Sequence, residues 1–255
     1  MRLAGAAILC AAAVSIATRA TLHAETTEEL VTKGEVFDKQ FNATEALKCY
    51  LPAEKLEPKN VDVLLRIARQ YRHLLADAAT KGEKVRLGRL ALSYSQRAAA
   101  LAPDNPEAQL SVAISYGKLV PFLGKKEQVE TSPRIKNAVD KTLRLDPNND
   151  LAWHILGRWN RNLAEISGLK RVVASALYGG LPKGSNAEAE SALRKAIALN
   201  PNRLMHYIEL GRIYANMGRK ADARKYIEKG LAMLETEKDD AEMKARGREV
   251  LEKLR

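Results

Sequence analysis

The side chains able to do chemistry are few and scattered. Four histidines, His23, His73, His154 and His206, show no i,i+4 pairing and no Cys/His metal spacing, so no metal centre is expected. Two cysteines, Cys10 and Cys49, cannot build a disulfide framework, and Cys49 beside Tyr50 in an apolar-periodic stretch reads as a packing residue. Gly117 and Gly124-Lys125-Lys126 fail as a phosphate loop. Six residues separate the glycines instead of four, no Ser or Thr follows the lysine, and helix precedes where a strand is required. No Gly-x-Ser-x-Gly occurs, and paired acids such as Glu28-Glu29 and Asp239-Asp240 read as solvated helix faces. No catalytic residue, cofactor or metal is therefore expected, and the chain is read as non-enzymatic.

What remains is positive charge. Across 255 residues, 42 Lys and Arg stand against 31 Asp and Glu, a formal surplus of +11. Arginine in particular makes forked contacts to carboxylates and phosphates, so the surplus points to an anionic partner. An apolar fraction of 46% excludes wholesale disorder.

Residues 1–24 hold no acid, and Leu3 to Ala17 is uninterrupted by charge, with Arg2 before it and Ala20 and Ala24 after it. This is the layout of a signal peptide, and it predicts an exported chain, periplasmic or secreted; a mitochondrial presequence is the alternative. The apolar stretch of roughly fifteen residues is too short for a membrane span, so none is expected in the mature chain. Removing it leaves 40 of the 42 basic residues against all 31 acids, a surplus of +9.

The elements that must position these cations announce themselves by repetition. Leu56-Glu-Pro58-Lys-Asn60, Leu101-Ala-Pro103-Asp-Asn105, Leu145-Asp-Pro147-Asn-Asn149 and Leu199-Asn-Pro201-Asn-Arg203 recur with prolines 45, 44 and 54 residues apart. Each ends one Ala/Leu-rich helical stretch and precedes another. Mostly small or apolar residues precede each proline at helical spacing, as in Ala46/Tyr50/Ala53 and Ala189/Leu193/Ala196. Six residues beyond each proline stand Leu64, Gln109, Trp153 and Tyr207, opening stripes such as Trp153-Leu156-Gly157 and Tyr207-Leu210-Gly211-Tyr214.

This grammar resembles the tetratricopeptide repeat, an aromatic followed by Leu-Gly and Tyr on one helix and small residues on the next. The resemblance implies an all-α, right-handed superhelix. Five helix pairs are expected, near 27–60, 61–105, 106–149, 150–203 and 204–236, with a charged capping helix over 237–255. Three units exceed the usual repeat length, and the excess is placed between paired helices at Leu75–Leu87, Pro121–Pro133 and Asn160–Lys183. Trp153 falls in the packing slot, and Trp159 is expected to anchor the last insert.

In this repeat type the first helix of each pair lines the concave surface. Counting one, five, eight and nine residues past the aromatic slot gives Leu65, Arg69, Arg72 and His73; Leu110, Ile114, Gly117 and Lys118; His154, Arg158, Arg161 and Asn162; and Ile208, Arg212, Ala215 and Asn216. The stripe carries five arginines, one lysine, two asparagines and no acid, while the first unit offers Glu35 and Asp38. A basic groove for an acidic peptide or protein segment is the expectation. An anionic lipid in the same concavity is the alternative, and an apolar cavity lined by Leu65, Leu110, Ile114 and Ile208 would favour it. The competing expectation is that these arginines are neutralised by glutamates of neighbouring helices. Nucleic acid is disfavoured, because Phe37, Phe41, Phe122 and most tyrosines occupy packing slots instead of stacking platforms.

Within the repeat, Ala113-Ile-Ser-Tyr116-Gly-Lys, His154-Ile-Leu-Gly157-Arg158-Trp159 and Ala174-Ser-Ala-Leu-Tyr178-Gly-Gly-Leu-Pro182 resemble the regulator of microtubule dynamics family, from roughly Asn60 to Met233. That resemblance implies a non-enzymatic adaptor, linked in animal members to microtubules, organelle contacts and lipid binding. An exported chain would not meet a microtubule, so the fold is expected to carry over and the partner is not, unless the chain is cytosolic.

Overall fold

The computed structural model describes residues 25–255, without the side chains of residues 175 and 178. The described residues are helical throughout, with no strand among them. In order they form α1 (Thr27–Lys39), α2 (Ala43–Leu56), α3 (Val61–Asp77), α4 (Lys81–Leu101), α5 (Pro106–Leu119), α6 (Lys125–Leu145), α7 (Asp150–Ala164), α8 (Gly168–Tyr178), α9 (Asn186–Leu199), α10 (Leu204–Asn216), α11 (Lys220–Ala232) and α12 (Asp240–Lys253). The antiparallel pairs α1/α2, α3/α4, α5/α6, α7/α9 and α10/α11 stack into a right-handed superhelix, and α12 closes its end against α10 and α11.

The recurring Leu-x-Pro string has a local cause. The proline cannot continue a helix and keeps its predecessor out of the helical conformation, at Glu57, Ala102, Asp146 and Asn200. Two residues beyond it, Asn60, Asn105 and Asn149 cap the next helix, accepting from the backbone N–H of Val63 (3.2 Å), Ala108 (3.1 Å) and Ala152 (3.0 Å). The slot six residues past the proline ties the turn down. Gln109 Nε2, Trp153 Nε1 and Tyr207 Oη donate to the carbonyls of Pro103 (3.0 Å), Pro147 (2.8 Å) and Pro201 (3.0 Å). Arg203 stands where the other units have their capping Asn and makes no side-chain cap.

Small residues set the distance within pairs. A Cβ on Gly157 would lie 2.7 Å from Leu193 Cγ, and one on Gly211 would lie 2.5 Å from Ile227 Cγ1. Only glycine lets α7 meet α9, and α10 meet α11, so closely. The core follows as layers shared between neighbouring pairs, such as Val112, Tyr116, Val139, Trp159 and Leu163 across α5, α6 and α7.

The extra length of the second and third units is helix, not insert. Both α4 and α6 run for 21 residues, and α3 and α4 are separated by only residues 78–80. In the fourth unit the excess forms a separate helix, α8, which meets α6. Trp159 donates Nε1 to the Ser132 carbonyl of α6 (3.0 Å) while Ile166 and Leu181, at the two ends of the α8 excursion, pack on its cluster.

Candidate functional site: a basic concave face and its acidic occupant

The expected cations stand on the first helices of their pairs: Arg69 and Arg72 on α3, Lys118 on α5, Arg158 and Arg161 on α7, and Arg212 on α10. Their environments differ sharply. Arg69 pairs with Asp38 of α1 at 2.6 Å, across the charge change between the first two units. Arg72 has no ion pair among the described residues. Its Nη1 donates to Ser111 Oγ (2.9 Å) and Ser115 Oγ (3.2 Å) of α5, and both hydroxyls lie 2.9 Å from buried Ser95 Oγ. Burial, helped by repulsion from Arg69, brings the Arg72 guanidinium down to about 10. His73 is half-buried, with Nδ1 unpartnered and the ring edge-on to Phe41; burial drives it down to about 4, so it is neutral near pH 7.

At the other end, Glu209 is the organising anion. It is fully buried and accepts from Arg161 Nε at 2.6 Å and Arg212 Nη1 at 2.8 Å. Burial alone would raise its carboxyl, but Arg161, Arg212 and Arg158 outweigh it and hold it far below the usual range. Arg161 also reaches Glu165 at 2.5 Å, and Asn216 donates to the same carboxylate. Asn162 is exposed at the end of α7. Arg158 forms no hydrogen bond or ion pair among the described residues, and burial lowers its guanidinium despite nearby Glu209.

The residues one past the slot do not open onto the concave face. Leu65, Leu110 and Ile208 are buried in helix packing, and Ile208 lies under Met243 of α12. His154 is likewise buried, its Nδ1 3.0 Å from His206 Nδ1, while His206 Nε2 meets Asp150 at 2.9 Å. Burial and the facing His206 push His154 well down, so it stays neutral.

The chain's own acids also reach these helices. The segment between α11 and α12 carries Glu235, Glu237 and Asp239, and α12 opens on Asp240. It runs back across the inner helices. Asp239 meets Lys118 of α5 at 2.5 Å, Lys238 meets Asp77 of α3 at 3.0 Å, and Glu237 meets Arg203 at 2.7 Å. Burial would raise the Asp239 carboxyl, yet Lys118 chiefly, with Arg158 beyond it, holds it below its ordinary value. Asp240 is buried and accepts the backbone N–H of Thr236 and Glu237, both at 2.8 Å. The expectation that Asp239-Asp240 is a solvated face is therefore corrected: one acid sits on the basic face and the other shapes the turn that delivers it.

Sequence reasoning missed Glu209 because it stands two past Tyr207, off the counted stripe. Its position three before Arg212 was the available signal. Asp239 was missed because its partner lies far away in sequence. The alternation of acids from Glu235 to Asp240 beside a basic stripe was the clue. Among the described residues no group of three potential metal ligands occurs.

Known proteins share this architecture. Residues 25–255 match the family model for Regulator of microtubule dynamics protein 1-3. Regulator of microtubule dynamics protein 1 of Caenorhabditis elegans is 26% identical over 75% of this chain and 84% of its own length. Regulator of microtubule dynamics protein 2 of Macaca fascicularis is 24% identical over 79% of this chain, which spans about half (49%) of that relative. A thermophilic TPR protein of Thermus thermophilus superposes with a TM-score of 0.63 at 18% identity, covering 89% of this chain and 99% of its own. This last likeness concerns the fold alone. The expected export is corrected by these relatives, named as regulators of microtubules, which an exported protein would not meet. Residues 1–24, which carried that expectation, lie outside the described residues. A stack of tetratricopeptide-like pairs, matched along its full described length, makes the chain a member of the Regulator of microtubule dynamics protein 1-3 family.

Proposed function

We propose that this chain is a non-enzymatic interaction scaffold whose basic concave face docks an acidic protein segment, with its own residues 235–240 holding that place in cis. The observation that carries the reading is Asp239, seated at 2.5 Å on Lys118 beside Arg158 and Arg72, two guanidiniums without a carboxylate partner. A carboxylate on an incoming segment has the same chemistry and takes the same donors. Arg69, Arg161 and Arg212 are already neutralised by Asp38, Glu165 and Glu209, so the positions left for a partner centre on Arg72, Lys118 and Arg158. Three of the four apolar residues expected to line a lipid cavity, Leu65, Leu110 and Ile208, are buried in helix packing and only Ile114 stays half-exposed, which favours a peptide over a lipid there.

The names of the curated relatives make a protein of the microtubule system the first partner to test. Partners recovered from cell extract on the wild-type chain and on Lys118→Glu/Arg158→Glu are compared by mass spectrometry. Loss of a shared set of proteins with the double variant is the expected result. Unchanged recovery, with the variant folded by circular dichroism, contradicts the groove.

A further inference from the structure

The helix α8 is the one part of the fourth unit that the repeat does not need. Among the described residues, four of the eleven exposed large apolar side chains lie on its eleven residues: Leu169 (77% exposed), Val172 (66%), Val173 (48%) and Leu177 (64%). The other seven are scattered singly. Three of them, Leu56, Leu101 and Leu145, are the leucines of the proline turns. At 100° per residue, positions 169, 172, 173, 176 and 177 cover an arc of roughly 140° on one side of the helix. Ala174 and Arg171 lie on the opposite side. Ala174 is buried, and Arg171 donates to the carbonyls of Leu163 (2.8 Å), Pro182 (2.8 Å) and Leu181 (3.3 Å). The helix is thus pinned to the body by its polar side, with its apolar side turned outward.

Its charges point to what covers that side. Between Glu165 and Glu188 there is no acid, while Lys170, Arg171 and Lys183 are present. Lys170 and Lys183 are exposed, and Lys170 borders the apolar arc. A second copy of the chain would bring like charges together across a two-fold seam. A surface of anionic lipid offers acyl chains to the arc and phosphates to the lysines. At about 16 Å, an eleven-residue helix is too short to span a bilayer, and no described helix is long and apolar enough to do so.

We infer that α8 is a membrane-docking helix that lies in the surface of an anionic bilayer, with Leu169, Val172, Val173 and Leu177 in the acyl boundary and Lys170 and Lys183 on lipid phosphates. Within the fold α8 packs against α6, the second helix of the third pair.

The test is co-sedimentation of the full chain with vesicles of phosphatidylcholine alone and of phosphatidylcholine mixed with phosphatidylserine. Binding to the mixed vesicles is expected, weakened by salt. Leu169→Asp/Leu177→Asp lowers the partition at least about tenfold, since each removes a buried leucine from the acyl boundary. Lys170→Glu/Lys183→Glu removes only the gain from phosphatidylserine. All four positions are exposed, so the thermal unfolding of the variants stays that of wild type. No binding by the wild type, or equal binding by wild type and Leu169→Asp/Leu177→Asp, overturns the inference. So does binding lost in Lys118→Glu/Arg158→Glu but kept in the α8 variants, which would move the lipid to the groove. A concentration-dependent dimer in sedimentation velocity that Leu169→Asp/Leu177→Asp abolishes assigns the face to a second copy and also overturns it.

Discussion

Replacing Glu209 with Gln removes one charge and keeps a hydrogen-bonding side chain of the same shape. In the wild type that carboxylate is fully buried between Arg161 Nε (2.6 Å) and Arg212 Nη1 (2.8 Å), with Arg158 close by. At a charge separation of about 4 Å and an effective dielectric of about 20, each guanidinium contributes about 4 kcal/mol of attraction. Desolvation of the carboxylate offsets much of that sum, and breaking a buried pair typically costs about 3–5 kcal/mol because the survivors are left uncompensated. Arg161 keeps Glu165, so the lower end applies and Glu209→Gln is expected to lose about 3 kcal/mol. For a chain of this size that lowers the melting temperature by roughly 6–12 °C. The pH dependence fixes the cause. The Glu209 carboxyl is held below its unfolded value, so its contribution is complete above pH about 4.5 and is lost as the pH falls toward the folded value. Urea unfolding at neutral pH and in steps below pH 5 should show the gap between the two proteins narrowing with acid. A neutral-pH loss under about 1 kcal/mol, or a gap independent of pH, refutes the charge argument.

Further outcomes follow from the same packing. Gly211→Ala drives a Cβ to 2.5 Å from Ile227 Cγ1 and 3.0 Å from the Ala223 carbonyl, and should destabilise by about 1–3 kcal/mol in urea titration. Gly117→Ala on α5 meets nothing within 4 Å and should instead gain about 0.5–1 kcal/mol. Asn149→Ala removes the cap on Ala152 and should cost about 1 kcal/mol, whereas Asn148→Ala, outside that bond, should not. His73 is held neutral to about pH 4 by burial, and the unfolded chain binds that proton near pH 6.5. Its share of stability is therefore present above pH about 6.5 and lost as the pH falls toward 4; His73→Gln should flatten that part of the stability curve.

Much of the scaffold was legible because its cause is local. Four prolines mark the turns whatever surrounds them, and the residues beyond them, Asn60, Asn105 and Asn149, cap the helices that follow. Gly157 and Gly211 stand where two helices must touch. The added length of the second and third units was misplaced into inserts, because nothing in residues 75–87 separates a longer helix from a loop except the three-residue break that the structure places at 78–80. The concave face was legible only in part. A stripe counted along isolated helices finds Arg69, Arg72, Lys118 and Arg158, but burial depends on neighbours, and α12 covers Ile208 while His206 covers His154. Glu209 and Asp239, the two anions that decide which cations stay available, act across 48 and 121 positions of chain, on Arg161 and Lys118. No periodicity reports pairing at that range.

The measurement closest to the proposed function is a binding titration with a labelled peptide carrying the acidic run of residues 234–242. It is followed by fluorescence anisotropy on three chains: wild type, Glu237→Gln/Asp239→Asn with the tethered acids neutralised, and Lys118→Glu/Arg158→Glu. If residues 235–240 hold the groove in cis, the tethered segment competes, and neutralising it should tighten peptide binding by about tenfold. The groove double variant should bind weakest, and added salt should weaken the first two. The same affinity for all three chains would contradict a docking groove centred on Lys118 and Arg158.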